Sequence, residues 1–307
     1  MSSITRIVAV FGATGLQGSA IVEALLRDGK FTPRAITRNP TSDAALKLKE
    51  RGVQVVQGET ADRAGLVSAL QGSEAAFAVT VPRLPPFFSA EGPTEVEQGK
   101  NMIDAAKEAG VKFFVFSSLP SIKRISGGKY TNVAHYDDKE EIETYLKASG
   151  LANASLLLGG FSDGLWAHGF LKKTPTGRYA IGIPKYIPNA LEAHTWVGHD
   201  LGEAVLALLR NYDDPLKSVS GKSYPVVTAN LSWEDMGAAI SKALGAPVDV
   251  TFGEGIGIPA YDEMFTAHAE YNGLYAETPV PNPELAALGA KIGDLDALLT
   301  EIKKRFS

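Results

Sequence analysis

The chain predicts an α/β fold, a doubly wound parallel sheet with a second, smaller α+β lobe. Three observations point there. A glycine-rich turn near the N-terminus joins a short apolar run to an amphipathic segment. Apolar runs and helical patterns then alternate as far as Phe116, as β-α units of a parallel sheet do. Beyond Val227 the alternation gives way to a looser mixture of strands and helices.

Val8 to Phe11 is short and apolar enough for a buried parallel strand, and Ile21, Val22, Leu25 and Leu26 share one face of the helix that follows. Between them the chain turns through Gly12, Gly15 and Gly18. Gly12 permits a sharp bend, Gly15 lets backbone approach a ligand, and unpaired helix N–H groups then point at an anion. Gly12, Thr14, Gly15, Leu16, Gln17 and Gly18 are therefore read as the cradle of a pyrophosphate, the alternative being a purely structural turn.

Phe31 to Thr37 gives the second strand, and the residue after it carries information. An acidic side chain there meets a ribose 2′-hydroxyl, whereas arginine meets a 2′-phosphate. The position holds Arg38, so NADP(H) is favoured over NAD(H); a solvated loop arginine is the alternative. The alternation continues through a helix to Arg51, strand Val53 to Gln57, helix Ala61 to Leu70, strand Ala75 to Val81, helix Thr94 to Ala109 and strand Lys112 to Phe116. Ligands of such sheets lie beyond the carboxyl ends of the strands. Gly58 and Glu59 are placed near the adenine. The proline-rich loop Thr80 to Phe88, with Val81 and Pro82, is read as a flap over the pyrophosphate and nicotinamide, its outer half equally as a surface connector. Ser117 and Ser118 end the fifth strand.

Ser126 to Val133 is polar and glycine-rich, a mobile loop before a helix in which His135 and Lys139 lie one turn apart and can face one cleft. The plainer readings are a solvated charged face for Lys139 and a capping or packing role for His135. Strand Ala154 to Leu158 runs into Gly159, Gly160 and Phe161, a backbone able to approach the nicotinamide. Phe161, Leu165, Trp166 and Phe170 line a pocket or fill a core. Asp200 is read as the N-cap of a helix Leu201 to Arg210, ahead of a His199–Asp200 catalytic pair. Strand Ser223 to Val227, helix Trp233 to Leu244, strand Val248 to Phe252 and helices from Pro259, Pro283 and Asp294 follow; Tyr261, Met264, Phe265 and His268 lie on one face and are read as core packing, the alternative being a cover over the cleft. Residues 1–158 with about 195–228 form the dinucleotide-binding unit, and 159–194 with about 229–307 the smaller lobe.

At 307 residues the chain can bury a large core. A formal charge of −5 gives no electrostatic reason to expect nucleic acid or an acidic membrane as a direct partner. The absence of cysteine excludes disulfides, thiolate catalysis and cysteine-held metals, and no metal site is read from the sequence. No apolar stretch approaches the roughly 18 residues of a spanning helix. The expectation is a soluble intracellular protein, cytoplasmic or also nuclear.

Five stretches in order carry a resemblance: Gly12-Ala13-Thr14-Gly15-Leu16-Gln17-Gly18, Thr37-Arg38-Asn39-Pro40, Phe116-Ser117-Ser118, His135-x-x-x-Lys139 and Val197-x-x-Asp200-Leu201-Gly202. Together they resemble the NmrA-like family of atypical short-chain dehydrogenase/reductases. The resemblance implies a Rossmann domain with a small C-terminal lobe and NAD(P) binding, some members being redox-sensing regulators and others reductases. It implies that Arg38 holds the adenosine phosphate and Lys139 contacts the nicotinamide ribose. Active short-chain dehydrogenases pair a Tyr proton donor with the lysine in Y-x-x-x-K. Here His135 stands in the Tyr place, and Tyr136 points about 100° away around a helix.

The candidate catalytic set is thus Lys139, His135 and Ser118, with Lys139 acting alone as in isoflavone-reductase-like enzymes as one variant. Two functions follow. The favoured one is a redox-sensing regulator that changes shape with its cofactor and acts through a protein partner; the alternative is an NADPH-dependent reductase of small quinones, enones or aromatic carbonyls.

Overall fold

In the computed structural model, which describes residues 6–84, 92–275 and 277–306, strand β1 (Arg6–Phe11) sends Val8 and Val10 to one side of a sheet and Ala9 and Phe11 to the other. Successive strand side chains point to opposite faces, so a run without polar alternation suits a strand covered on both. The covers are helices. After β1 come α1 (Leu16–Asp28), β2 (Phe31–Thr37), α2 (Asp43–Glu50), β3 (Gln54–Gln57), α3 (Arg63–Leu70), β4 (Ala75–Ala78), α4 (Glu95–Glu108), β5 (Phe113–Ser118), α5 (Ile122–Ile125), α6 (Ala134–Ala148) and β6 (Asn153–Leu158).

The chain goes on through β7 (Gly160–Phe161), α7 (Gly164–Ala167), β8 (Leu171–Lys173), β9 (Tyr179–Ile183), β10 (Leu191–Thr195), α8 (Val197–Asn211), β11 (Lys222–Val226), β12 (Ala229–Ser232), α9 (Trp233–Leu244), β13 (Val248–Phe252), α10 (Pro259–Glu270), α11 (Pro283–Ala287) and α12 (Leu295–Phe306). Seven strands form the main sheet in the order β11-β6-β5-β4-β1-β2-β3, each neighbouring pair parallel. The winding reverses between β1 and β4, and the crevice beyond the carboxyl ends of the strands at such a point is where ligands bind. Ile21, Leu25, Leu201 and Val205 of α1 and α8 cover one face; Leu66, Met102, Ile103 and Ile142 of α3, α4 and α6 cover the other.

The remaining strands make two small sheets, β12-β10-β7 and β13-β9-β8. Strands β8, β9 and β10 were not expected: they are three to five residues long, β8 and β10 carry charged members and β9 has a glycine inside. Leu165, Trp166 and Phe170 pack into the core of this part, and the Arg305 guanidinium lies 4.6 Å over the Trp166 ring, so these aromatics are core and not pocket lining.

Two local expectations need correcting. Helix α8 begins at Val197, not Leu201, so Asp200 is inside its first turn and is not its N-cap. The Asp163 carboxylate, brought from elsewhere in the chain, accepts from Val197 N–H at 2.7 Å and Gly198 N–H at 3.1 Å. Asp200, fully buried, instead accepts from Gly293 N–H, His199 Nδ1 and the Thr228 hydroxyl. The segment Ser126 to Val133 is anchored to α10: Glu263 accepts from the backbone N–H groups of Thr131 and Asn132 at 2.9 and 2.8 Å, and Lys129 pairs with Glu270 at 2.6 Å.

Candidate functional site

The three glycines of the first turn have different reasons to be glycine. Gly12 has φ +62°, a left-handed conformation costly for other residues. A Cβ at Gly18 would lie 2.2 Å from the Gly12 carbonyl oxygen, so the third glycine lets α1 pack on the turn itself. Gly18 is buried, and its part in any ligand site is indirect. At Gly15 a Cβ would meet only the Gly12 oxygen, at 3.4 Å, and φ is −91°. Nothing in the protein demands glycine there. Gly15 is also the N-cap of α1, with no side-chain cap and no acidic residue in the first turn, which leaves N–H groups and the positive end of the helix dipole to solvent or an anion.

Beside this turn lies a cleft of about 430 Å³ lined by Gly12, Thr14, Arg38, Gly58 and Glu59, with Val81 and Pro82 on its other wall. The Arg38 guanidinium is exposed and has no partner among the described residues. Gln98 of α4 fixes the start of the proline-rich loop: its amide oxygen accepts from Val81 N–H and its nitrogen donates to the Val81 carbonyl, both at 3.1 Å. The outer part of the expected flap, residues 85–88, lies outside the described residues. These residues fit a nicotinamide dinucleotide: an uncapped helix N-terminus, a glycine the protein does not itself need, and a free guanidinium at the end of β2. Leu16 packs against the core, and the buried Gln17 Oε1 has no hydrogen-bond partner.

Deeper in, Lys139 of α6 is buried. Its ammonium donates to Glu95 Oε1 at 2.6 Å and to Thr80 Oγ1 at 2.7 Å, and Thr80 in turn donates to the same carboxylate oxygen at 2.6 Å. The Ser118 hydroxyl reaches the Lys139 backbone carbonyl at 3.4 Å rather than the ammonium, and Ser117 is buried beside it on β5. His135 is nearly enclosed, with Nδ1 unpartnered among the described residues. Burial, reinforced by Lys139 and His268, pushes its imidazole down to about 3. The ring is neutral at pH 7, which removes the cationic proton donor that a reference value near 6.5 suggests.

Tyr136 does point elsewhere, into a buried relay. Its hydroxyl lies 2.7 Å from His268 Nε2, and His268 Nδ1 lies 3.1 Å from Glu192 Oε1. Tyr186 also donates to Glu192, at 3.1 Å. Burial alone pushes the Glu192 carboxyl up, but His268, with His194 and the Tyr186 hydroxyl, outweighs this and holds it below the usual range. An ionised Glu192 can only accept, so Nδ1 of His268 carries hydrogen and, in the neutral ring, Nε2 accepts from Tyr136. His268 is therefore a polar link between α6 and α10 as well as a packed side chain.

Gly159 and Gly160 adjoin this relay. A Cβ on Gly159 would sit 2.1 Å from the Ala193 carbonyl oxygen, and one on Gly160 3.2 Å from Glu192. The close approach these glycines permit is to β10, and Phe161 packs against the main core.

Glu95, Gln98, Asp163 and Glu192 were not singled out by sequence as site residues. Glu95 alone left a trace, as an acid in the first turn of a helix whose Thr94 and Glu97 form a capping box. Its distance of 44 residues from Lys139 concealed the pairing.

The NmrA-like family matches residues 5–277. Among curated proteins the chain is 40% identical over 146 residues to the NmrA-like family domain-containing oxidoreductase notA′ of Aspergillus versicolor, covering 47% of this chain and 41% of that one. It is 30% identical over 237 residues to the similarly described malD of Malbranchea aurantiaca, covering 73% and 70%. The match thus spans less than half the length of the first of these relatives. Among solved structures, NmrA, a negative transcriptional regulator, superposes in its NADP complex with a TM-score of 0.76 at 20% identity, over 99% of this chain and 96% of that one. Its NAD complex gives 0.77. An NADPH-dependent quinone oxidoreductase from Escherichia coli, complexed with NADPH, gives 0.70 at 22% identity over 98% and 100%. At such identities the solved structures establish the shared fold.

Proposed function

The chain belongs to the NmrA-like family of NAD(P)-binding proteins, and from that premise we propose that it binds NADP(H) in the cleft at the switch point and reduces a small conjugated acceptor such as a quinone or enone. The observation that carries the reading is the Arg38 guanidinium at the end of β2, unpartnered among the described residues, which lines one cleft with Gly12 and Thr14 of the turn that leads into the uncapped N-terminus of α1. Two anionic groups of one ligand would find both. Bound NADPH would supply the hydride.

The neutral His135 bears on the acceptor. A quinone or enone leaves a delocalised, weakly basic oxyanion that water or a hydrogen-bond donor can protonate, whereas an isolated ketone leaves a strongly basic alkoxide that calls for a placed acid. Curated relatives named oxidoreductases support turnover. A second reading, a cofactor-sensing regulator acting through a protein partner, is favoured by one observation: Lys139 is already engaged by Glu95 and Thr80.

The test is binding and consumption of NADPH and NADH across quinones, enones and simple ketones, with Arg38→Ala in parallel. Loss of a charge-assisted bond to phosphate, about 1.5–3 kcal/mol, weakens NADPH roughly 10- to 100-fold and leaves NADH nearly unchanged. Equal affinity for both nucleotides in the parent and the Arg38 variant would sink the NADP(H) assignment. Tight binding with no consumption on any acceptor would leave the regulator.

A further inference from the structure

Lys139, Glu95 and Thr80 come from three elements, α6, the first turn of α4 and the end of β4, and meet without solvent: the side chains of Lys139 and Glu95 are 9% and 1% exposed. A buried charge pair is retained at a desolvation cost that favourable geometry must offset. Here one carboxylate oxygen, Glu95 Oε1, accepts from both the ammonium and the Thr80 hydroxyl. The other, Oε2, is buried with no hydrogen-bond partner among the described residues. Of the three ammonium hydrogens two are assigned, to Glu95 and Thr80. One ammonium hydrogen therefore remains, on the more exposed member of the pair. A ligand hydroxyl can accept it.

We propose that Glu95 is a positioning residue for Lys139: it aims the ammonium so that its remaining hydrogen meets a ligand hydroxyl, of the kind a ribose carries. This rests on the dinucleotide reading above. Glu95 suits the task because it follows directly on the Thr94 cap, so its backbone is fixed by the capping box, and because the N-terminal turn of α4 favours a carboxylate. Thr80 bonds to both charges, accepting from Lys139 and donating to Glu95. The glycine turn and Arg38 are bound to neither, so the phosphates of a dinucleotide would be gripped independently of this pair.

The experiment compares the binding of NADPH with that of adenosine 2′,5′-bisphosphate, which keeps the 2′-phosphate and the adenosine-side 5′-phosphate but lacks the second bridging phosphate and the nicotinamide ribose, in the parent, Glu95→Gln, Lys139→Met and the double variant. Glu95→Gln should weaken NADPH at least about tenfold, as misplacement of a positioned group does, and leave the bisphosphate within about twofold. In the Lys139→Met background, Glu95→Gln should add nothing, because a residue that acts through another has no effect once that other is gone. Glu95→Asp, which keeps the charge and withdraws it by one carbon, serves should the Gln variant not fold; it should show the same selective loss.

Equal weakening of both nucleotides, a loss that persists in the Lys139→Met background, or no loss at all overturns the positioning role. Failure of the unaltered protein to bind either nucleotide overturns the dinucleotide reading itself. That outcome is separate, because it appears before any variant is made.

Discussion

Gly15→Ala and Gly18→Ala are predicted to separate ligand binding from folding within one turn. At Gly18 the added carbon would stand 2.2 Å from the Gly12 carbonyl oxygen and 2.7 Å from Ala13 Cα, both backbone atoms, so the start of α1 and the turn must move apart. Overpacking of that kind costs about 1–3 kcal/mol, which at ~2–4 °C per kcal/mol lowers Tm by roughly 2–12 °C. At Gly15 the only contact is the Gly12 oxygen at 3.4 Å, and the backbone at φ −91° suits alanine. The entropic gain of Gly→Ala, about 0.4–1 kcal/mol, is offset by the poorer N-cap, so the net change stays within about 1 kcal/mol. The added methyl would project where a pyrophosphate must approach the N–H groups. Thermal unfolding with and without saturating NADPH reads both effects. A ligand at 100 times Kd stabilises by ~2.7 kcal/mol; the Gly15 variant should keep its own Tm and lose that shift. A Gly15 variant with an intact NADPH shift, or one that unfolds as early as the Gly18 variant, would refute the assignment of these glycines.

Two further outcomes follow from buried titratable groups. The folded His135 lies well below the ordinary histidine value, so its contribution to stability is complete above pH 6.5 and is lost as the pH falls towards 3. The slope is about 1.4 kcal/mol per pH unit; His135→Asn should narrow the difference between urea unfolding at pH 6.5 and pH 5 by about 2 kcal/mol, and an unchanged difference would place the ring in water. Tyr136→Phe leaves His268 Nε2 buried without its partner, a loss of about 1–3 kcal/mol. Adding His268→Leu should cost less than the sum of the single changes by at least ~0.5 kcal/mol, whereas strict additivity of the urea midpoints would show that the relay is not coupled.

The sequence by itself determined the main sheet. Apolar runs without alternation, such as Val8 to Phe11 and Phe113 to Phe116, can only be strands covered on both faces, and helical periodicity between them leaves a wound α/β arrangement. The glycine turn and Arg38 were legible for the same reason: their meaning depends on neighbours a few residues away, and local spacing fixes which side of a turn or strand they occupy. Strands β8 to β10 were not legible, because strands of three to five residues, interrupted by charged members in β8 and β10 and by Gly182 in β9, draw their stability from the partner strand more than from their own pattern.

Tertiary structure alone decided the chemistry within the site. The pairing of Lys139 with Glu95, the neutral state of His135 and the link of Tyr136 through His268 to Glu192 all join residues 44 to 132 positions apart, or arise from burial that no local window encodes. Asp200 shows the same limit. Its sequence position suits an N-cap, yet the capping carboxylate is Asp163, delivered across 34 residues by the folding of the chain after β6. A cap needs an acceptor at the right point in space, and that point is set by packing rather than by the order of the chain.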